Sequence, residues 1–453
     1  MENRLSSKTK FFSGFADLGG NTFFAVINFW LMYYLTDMVG LSSAVAGITI
    51  MVGKIWDAVT DPMMGYVSDN SKFRWGKSKP FMVIGLAPLF VSVIALFTKV
   101  NFSSEVGLAI YYTAIYCLVN TFYTVVFIPY YSLLSGLTND YNERTSLQSY
   151  RMIFAIIGQI IGSVLAKPII GFFPDQVTGF TWMGVIFGAV IAVAVLTTVF
   201  MVKSSANNVL VKEHKEKGNY FKENLSVLKS RPYMIVIAAM ITCFISLVIT
   251  STTVPYFYKY YLNAEDMASV GILVSAVSNI AFVPVVLKLS KRYDKKKTWL
   301  IGLVVAAMGS LALYTIAPYG IPWVFIPMVV TGAGACSTYV LLMSIVSDCV
   351  DYEYLKSGKR KDGSFMGFMT FGQKLGMALG AAAVGWVLSG LGYIADAAQT
   401  PIVLSGMRIL AGIVPASLCL IAFFIILFYP ITAQKHAEII KQIELNEKEG
   451  VQA

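Results

Sequence analysis

Apolar residues run through this chain in long blocks, and polar residues collect in the short breaks between them. An α-helix needs about 20 mostly apolar residues to cross a bilayer. Twelve such blocks are read at 11–36, 41–67, 80–99, 106–135, 148–171, 178–202, 232–262, 267–290, 298–318, 321–350, 364–392 and 403–430. In lipid each segment must satisfy its own backbone, so blocks of this length predict helices. A transmembrane β-barrel would show short alternating segments instead. The expected fold is an all-α membrane protein of twelve transmembrane helices.

The breaks alternate in charge. One set holds Lys72, Arg74, Lys77 and Lys79, then Arg144, then the Lys and Arg of 203–231, 288–297 and 356–361. The other set holds Lys99 and, at helix ends, Lys167, Lys259 and Arg408. Basic loops stay on the cytoplasmic side, so both termini are expected there, in a cell inner (plasma) membrane. The longest break, 203–231, divides the chain into six blocks and six. The expected units are an N-terminal bundle 1–202, a cytoplasmic linker 203–231, a C-terminal bundle 232–430 and a tail 431–453. The halves echo each other. Asn-Phe-Trp-Leu-Met-Tyr-Tyr-Leu-Thr-Asp at 28–37 resembles Pro-Tyr-Phe-Tyr-Lys-Tyr-Tyr-Leu at 255–262, and Gly47-Ile-Thr opens its block as Gly271-Ile-Leu opens the eighth. Two parallel six-helix repeats with a site between them is a secondary-transporter plan.

One block breaks the apolar pattern. Gly53-Lys-Ile-Trp-Asp-Ala-Val-Thr-Asp-Pro-Met-Met-Gly65 carries a lysine and two aspartates at membrane depth. Charge there costs roughly 2.5–3.5 kcal/mol per residue on insertion scales and normally faces a bundle interior. Asp57 and Asp61 are four residues apart, which puts them on one helix face. Two close carboxylates in low dielectric need a cation between them, or one is protonated. The pattern fits a Na⁺ or H⁺ site. It also fits a charge-neutral structural cluster in which Lys54 pairs with Asp57. Aligning Gly47 with Gly271 puts Ala281 and Val285 at the aspartates' places, so architecture alone does not require carboxylates.

Composition narrows the classes. Of 453 residues, 57% are hydrophobic and 13% charged, against about 25% charged in soluble chains. The net charge of +10 is accounted for by membrane topology, so no nucleic-acid partner is expected. Five cysteines without CxxC spacing read as free thiols, and the N-terminus shows no signal-peptide cleavage pattern. No nucleophile-and-base set, metal cluster or phosphate loop is read, which argues against an enzyme or an ATP-driven pump.

The stretch from Trp56 through Gly65, continuing by Asp69 to Arg74-Trp-Gly-Lys-Ser-Lys-Pro-Phe81, resembles the signature of the glycoside–pentoside–hexuronide:cation symporters. This is the melibiose-permease family of the major facilitator superfamily. Tyr33-Tyr34 with Thr36, Asp37 and Gly40, the run Ile128-Pro-Tyr-Tyr-Ser-Leu133, Arg144 to Arg151, and Asp348 to Glu353 with Gly358 and Arg360 resemble further family segments in order. The resemblance spans essentially the whole chain and implies a major facilitator fold.

It also implies roles. Asp57, Thr60, Asp61 and Thr124 fall at the family's cation positions, where oxygen ligands suit hard ions such as Na⁺. Thr60 replaces the asparagine of melibiose carriers, which leaves Na⁺ and H⁺ both open. Asp17, Asn21, Phe127, Tyr131, Arg151, Tyr339, Thr370 and Lys374 are expected at the substrate, with Asn21 and Phe127 replacing two sugar-binding aspartates. An α-galactoside is therefore not expected, and Arg151 with Lys374 favours an anionic sugar. Lys54, Arg144, Asp351 and Arg360 are expected to act in coupling or as an inner gate between the halves. The expected function is Na⁺- or H⁺-coupled symport of a glycoside or oligosaccharide, including a uronide or pentoside, by alternating access. The alternative is an uncoupled sugar facilitator or a lysolipid-type flippase. No cofactor is expected beyond the coupling ion. The expected partners are the sugar, the cation and the bilayer, and the chain is expected to act as a monomer.

Overall fold

The twelve apolar blocks become twelve helical runs. The computed structural model describes residues 5–69, 71, 73, 77–135, 137–138, 141–202, 225–358 and 361–448. Arg74, Arg360 and most of the expected linker lie outside these residues, as does the side chain of Arg144. The runs are α1 (Phe15–Val26, prolonged to Val39), α2 (Ser43–Asp69), α3 (Lys79–Leu96), α4 (Glu105–Ser135), α5 (Tyr141–Val164) and α6 (Gln176–Met201). They continue as α7 (Arg231–Tyr256), α8 (Ala268–Ala281, prolonged to Tyr293), α9 (Lys295–Ile316), α10 (Phe325–Ser357), α11 (Asp362–Gly390) and α12 (Pro401–Ala411, prolonged to Leu427). Among the described residues, eleven helices are long and apolar enough to cross a membrane. The twelfth run is α1, whose later part winds in π-helical turns at Ile27–Leu31 and Tyr34–Val39. The end of α7 does the same at Phe257–Tyr261. These are the two segments that echo each other in sequence.

Irregular backbone follows the residues that cannot propagate a helix. Pro62 lies inside α2 directly after Asp61 and gives no N–H to the Ala58 carbonyl. The eighth run breaks at Phe282 before Pro284, and the twelfth at Gly412 before Pro415.

The packing shows the repeat. In the first half α1 lies on α5 and α6, α2 on α4, and α3 on α4 and α6. In the second half α7 lies on α11 and α12, α8 on α10, and α9 on α10 and α12. Adding six to each label of the first set gives the second. The halves meet where α2 crosses α11 and where α5 meets α8. The α2–α11 crossing is close because Gly47 faces Ala382 and Gly385, and a side chain at Gly385 would meet the Ser43 carbonyl. Small residues at such crossings let helix backbones approach.

Twelve crossings return the chain to the side on which it began. That side is the termini end, and the other is the far end. At the termini end a last helix, α13 (Ala433–Lys448), lies against α10.

Candidate functional site

At mid-depth, Asp57 and Asp61 of α2 meet two partners. Thr124 of α4 has its hydroxyl 3.2 Å from Asp57 Oδ1 and 2.9 Å from Asp61 Oδ1. Lys374 of α11 lies 2.8 Å from Asp57 Oδ2 and 2.5 Å from Asp61 Oδ2. Its ammonium also points at the Asp57 carbonyl, 3.4 Å away. The helix spacing explains this: residues four apart stand one above the other, so one hydroxyl and one ammonium each reach both carboxylates. Lys374 comes from the other half of the molecule, so this ion pair joins the two bundles. Asp57 is buried and Asp61 one-fifth exposed.

Two neighbours differ from expectation. Thr60 donates to the Asp57 carbonyl of its own helix at 3.3 Å, so its hydroxyl is held by backbone. Lys54 forms no ion pair with Asp57 among the described residues. It is buried, with its ammonium over the Phe24 ring at 4.8 Å. The pairing of Lys54 with Asp57 is thus replaced by a cation–π contact, because Lys374 already holds the carboxylate.

A second cluster sits on the first-half wall. Arg151 of α5 donates to Asp17 of α1 at 2.6 Å and 3.3 Å. Tyr130 of α4 donates to the same carboxylate at 2.6 Å, and the Asn21 amide donates to the Asp17 carbonyl at 2.8 Å. The Arg151 guanidinium lies 5.0 Å from the Tyr131 ring centre. Phe127 is buried and stacks on Tyr123 with centres 4.2 Å apart, so it backs the wall. Tyr131 of the first half and Tyr339 of the second are 40% and 50% exposed. Tyr339 touches Phe244 edge-on, and Thr370 donates to the Met366 carbonyl of its own helix. No contact among the described residues joins Tyr339 or Thr370 to the Asp17 cluster.

Of the expected inner-gate residues, Arg360 and the side chain of Arg144 lie outside the described residues, and Asp351 is described. Asp351 lies 3.2 Å from His436 of α13, within its own half. Asp348, nearby, is 2.6 Å from Lys295 and 3.5 Å from His436.

Sequence reasoning missed the other end. There Asp37 of α1 accepts from Lys259 at 3.1 Å, from Tyr393 at 2.7 Å, from Thr36 at 2.7 Å and from Tyr260. Thr36 shares a further hydrogen bond with Tyr256 at 2.7 Å. Lys259 also pairs with Asp396, and Lys167 with Glu265. Among the described residues, every ion pair joining the halves lies at mid-depth or at this far end. The signal was present: loops otherwise almost bare of charge hold Lys167 and Lys259, with Asp37, Glu265 and Asp396 to answer them.

Known proteins agree with this architecture. The family described as MFS/sugar transport protein matches residues 12–433. A glucuronide carrier protein homolog of Escherichia coli (strain K12) is 29% identical, with 99% of this chain and 98% of that protein covered. An isoprimeverose transporter of Lactiplantibacillus pentosus is 28% identical, covering 88% of this chain and 83% of its own. The crystal structure of a D-xylose–proton symporter superposes with a TM-score of 0.68 at 14% identity, covering 94% of this chain and 98% of its own, and shares the fold. With its two matching six-helix halves and its sugar-carrier relatives, the chain belongs to the MFS/sugar transport family, in the glycoside–pentoside–hexuronide:cation symporter branch, and is a multi-pass membrane transporter rather than an enzyme.

Proposed function

We propose that this transporter carries a glycoside or uronide inward together with one monovalent cation, Na⁺ or H⁺. The observation that carries the reading is the shared seat at Asp57 and Asp61. One ammonium, from the opposite half, holds the Oδ2 side of both carboxylates, while the Oδ1 side gathers on a single hydroxyl. Each carboxylate is thus held on its Oδ2 side while its Oδ1 side has acceptor capacity to spare. A single cation at the two Oδ1 atoms and Thr124 competes with Lys374 for the carboxylates and loosens its hold. Oxygen donors suit Na⁺, and close carboxylates equally favour a shared proton.

The sugar is proposed to bind between the cluster of Asp17, Asn21, Tyr130, Tyr131 and Arg151 in the first half and Tyr339 in the second. Tyrosine rings offer an apolar face with a polar edge, which suits a pyranose. Arg151 presents a planar donor fork that suits a carboxylate or vicinal hydroxyls. The named substrates of the relatives, a glucuronide and isoprimeverose, fall within this chemistry.

The bundles 1–202 and 232–430 act as rocking bodies joined by 203–231. The basic loops are read as cytoplasmic, which makes the far-end network the outer gate. Opening that side requires Lys374 to leave its carboxylates and Asp37 to lose its partners together. By linkage, the sugar raises cation affinity by the factor the cation raises sugar affinity. The test is calorimetric titration of purified protein with neutral methyl glycosides and with uronides, in NaCl and in choline chloride, at two pH values. Cation-dependent binding of either class supports the reading; ion-independent binding of every sugar tested refutes coupling.

A further inference from the structure

Helices α2 and α4 both run from the far end to the termini end, and a ladder of polar contacts ties them side by side. Thr113 bonds to Thr49 at 3.2 Å, the Asn120 amide to the Gly53 carbonyl at 3.2 Å, and the Trp56 indole N–H to Thr121 at 2.8 Å. The last rung is Thr124 on Asp57 and Asp61. The rung at Asn120 lies one turn before it on both helices, since Asn120 precedes Thr124 by four residues and Gly53 precedes Asp57 by four.

Asn120 is 3% exposed and spends its amide on two carbonyls, Gly53 across the interface and Tyr116 on its own helix at 2.9 Å. Beside it the Tyr116 ring lies flat against Gly53, where a methyl group would collide with ring carbons. Among the described residues the buried Tyr116 hydroxyl has no partner within hydrogen-bond geometry, and the ring packs directly on the Gly53 turn. Contact and hydrogen bond thus fix the same turn of α2 against the same turn of α4.

That turn sets what Thr124 can reach. Its hydroxyl serves two carboxylates at 3.2 and 2.9 Å. A slide of α2 by about 1 Å would take one of them beyond hydrogen-bond range. We infer that Asn120 is a positioning residue of the coupling-cation site: through the Gly53 carbonyl it holds α2 in the register that brings Asp57 and Asp61 to Thr124 together. The inference rests on the reading of that carboxylate pair as the cation seat. It adds a residue that touches neither ion nor sugar yet sets the ion's affinity.

The experiment uses the purified full-length protein without sugar. Thermal unfolding is followed against Na⁺, balanced with choline, and against pH without Na⁺. A bound ion raises the midpoint by mass action. The variants are Asp57→Asn, Asn120→Leu, Gly53→Ala and, as a control for plain destabilisation, Ser246→Ala in the second half, whose hydroxyl donates to Pro415. The expected result is a roughly tenfold rise in the Na⁺ concentration at half effect for Asn120→Leu, or a shift of about one pH unit if the proton is the ion. Ser246→Ala lowers the ion-free midpoint but leaves the ion response unchanged. Gly53→Ala, which forces the same turn apart with Asn120 intact, moves the response as Asn120→Leu does and stands in if that variant does not fold. An Asn120→Leu protein that responds within twofold of wild type overturns the inference alone, provided Asp57→Asn has lost the response. A wild-type protein with no response to either ion, or an Asp57→Asn protein with the full one, overturns the cation-seat reading and this inference with it.

Discussion

Asp37 at the far end and the Asp57–Asp61 pair at mid-depth are built alike: buried carboxylates of the first half, each answered by a lysine of the second. They differ in how completely they are satisfied. A carboxylate has about four acceptor positions. Asp37 fills them with Lys259 and Tyr260 on one oxygen and Thr36 and Tyr393 on the other. Asp57 and Asp61 share one hydroxyl and one ammonium between them. A saturated carboxylate holds its neighbours and has no room for an ion, which suits a lock. An undersaturated pair has oxygen capacity left over, which suits the proposed seat. The count of donors is what separates the two proposed roles.

The comparison can be broken at either end. The largest effect is expected at the seat: Asp61→Cys abolishes gradient-driven accumulation while exchange across the membrane continues, measured with radiolabelled sugar in vesicles. At the lock, Asp37→Ala leaves Lys259 with Asp396 alone as its ion-pair partner and takes the carboxylate acceptor from three hydroxyls. Backbone amides of Tyr34–Val39 and Phe257–Tyr261 should then exchange hydrogen much faster, while the ion response stays at the wild-type value. Lys374→Ala removes the cation that competes for the seat, so sugar-free Na⁺ affinity is expected to tighten by about tenfold. The smallest effect is expected from Tyr393→Phe, which removes one of four donors. A hydrogen bond of this kind is worth about 1 kcal/mol net, or about a fivefold shift toward far-end opening. An equal loss from Tyr393→Phe and Asp37→Ala would contradict the view that the lock depends on saturation.

The carboxylate pair of the proposed seat was legible in sequence and the far-end network was not, for a physical reason. Asp57 and Asp61 break an apolar block four residues apart, so local pattern alone gathers them. Lys374 stood out as a charge among glycines in another block. The lock draws on residues 36–37, 256–260, 265, 393 and 396, with 167 besides, each at a helix end where a single charge or tyrosine looks ordinary. Its sequence traces were the few charges in otherwise bare loops and the echo between 28–37 and 255–262. Those segments matched because they occupy equivalent places in the two halves, and both wind into π turns where the halves meet. The apolar blocks placed most helix ends to within a few residues; α5 begins at Tyr141 where 148 was expected and α10 runs on to Ser357 where 350 was expected, because both helices extend into polar sequence beyond the apolar block. Asn120 was passed over because a lone asparagine inside a helix carries no pattern; only the neighbouring helix shows what its amide holds. Tyr130 was missed likewise, since its role depends on Asp17, which is 113 residues away.

The central claim is that the undersaturated pair couples ion to sugar. The most direct test is one titration, sugar into wild-type protein and into Asp57→Asn, with and without Na⁺ and at two pH values. The account predicts that sugar affinity in the wild type rises by about tenfold or more with the coupling ion. It predicts that in Asp57→Asn the two conditions give one affinity. An Asp57→Asn protein whose sugar affinity still follows the ion as in the wild type would contradict the account.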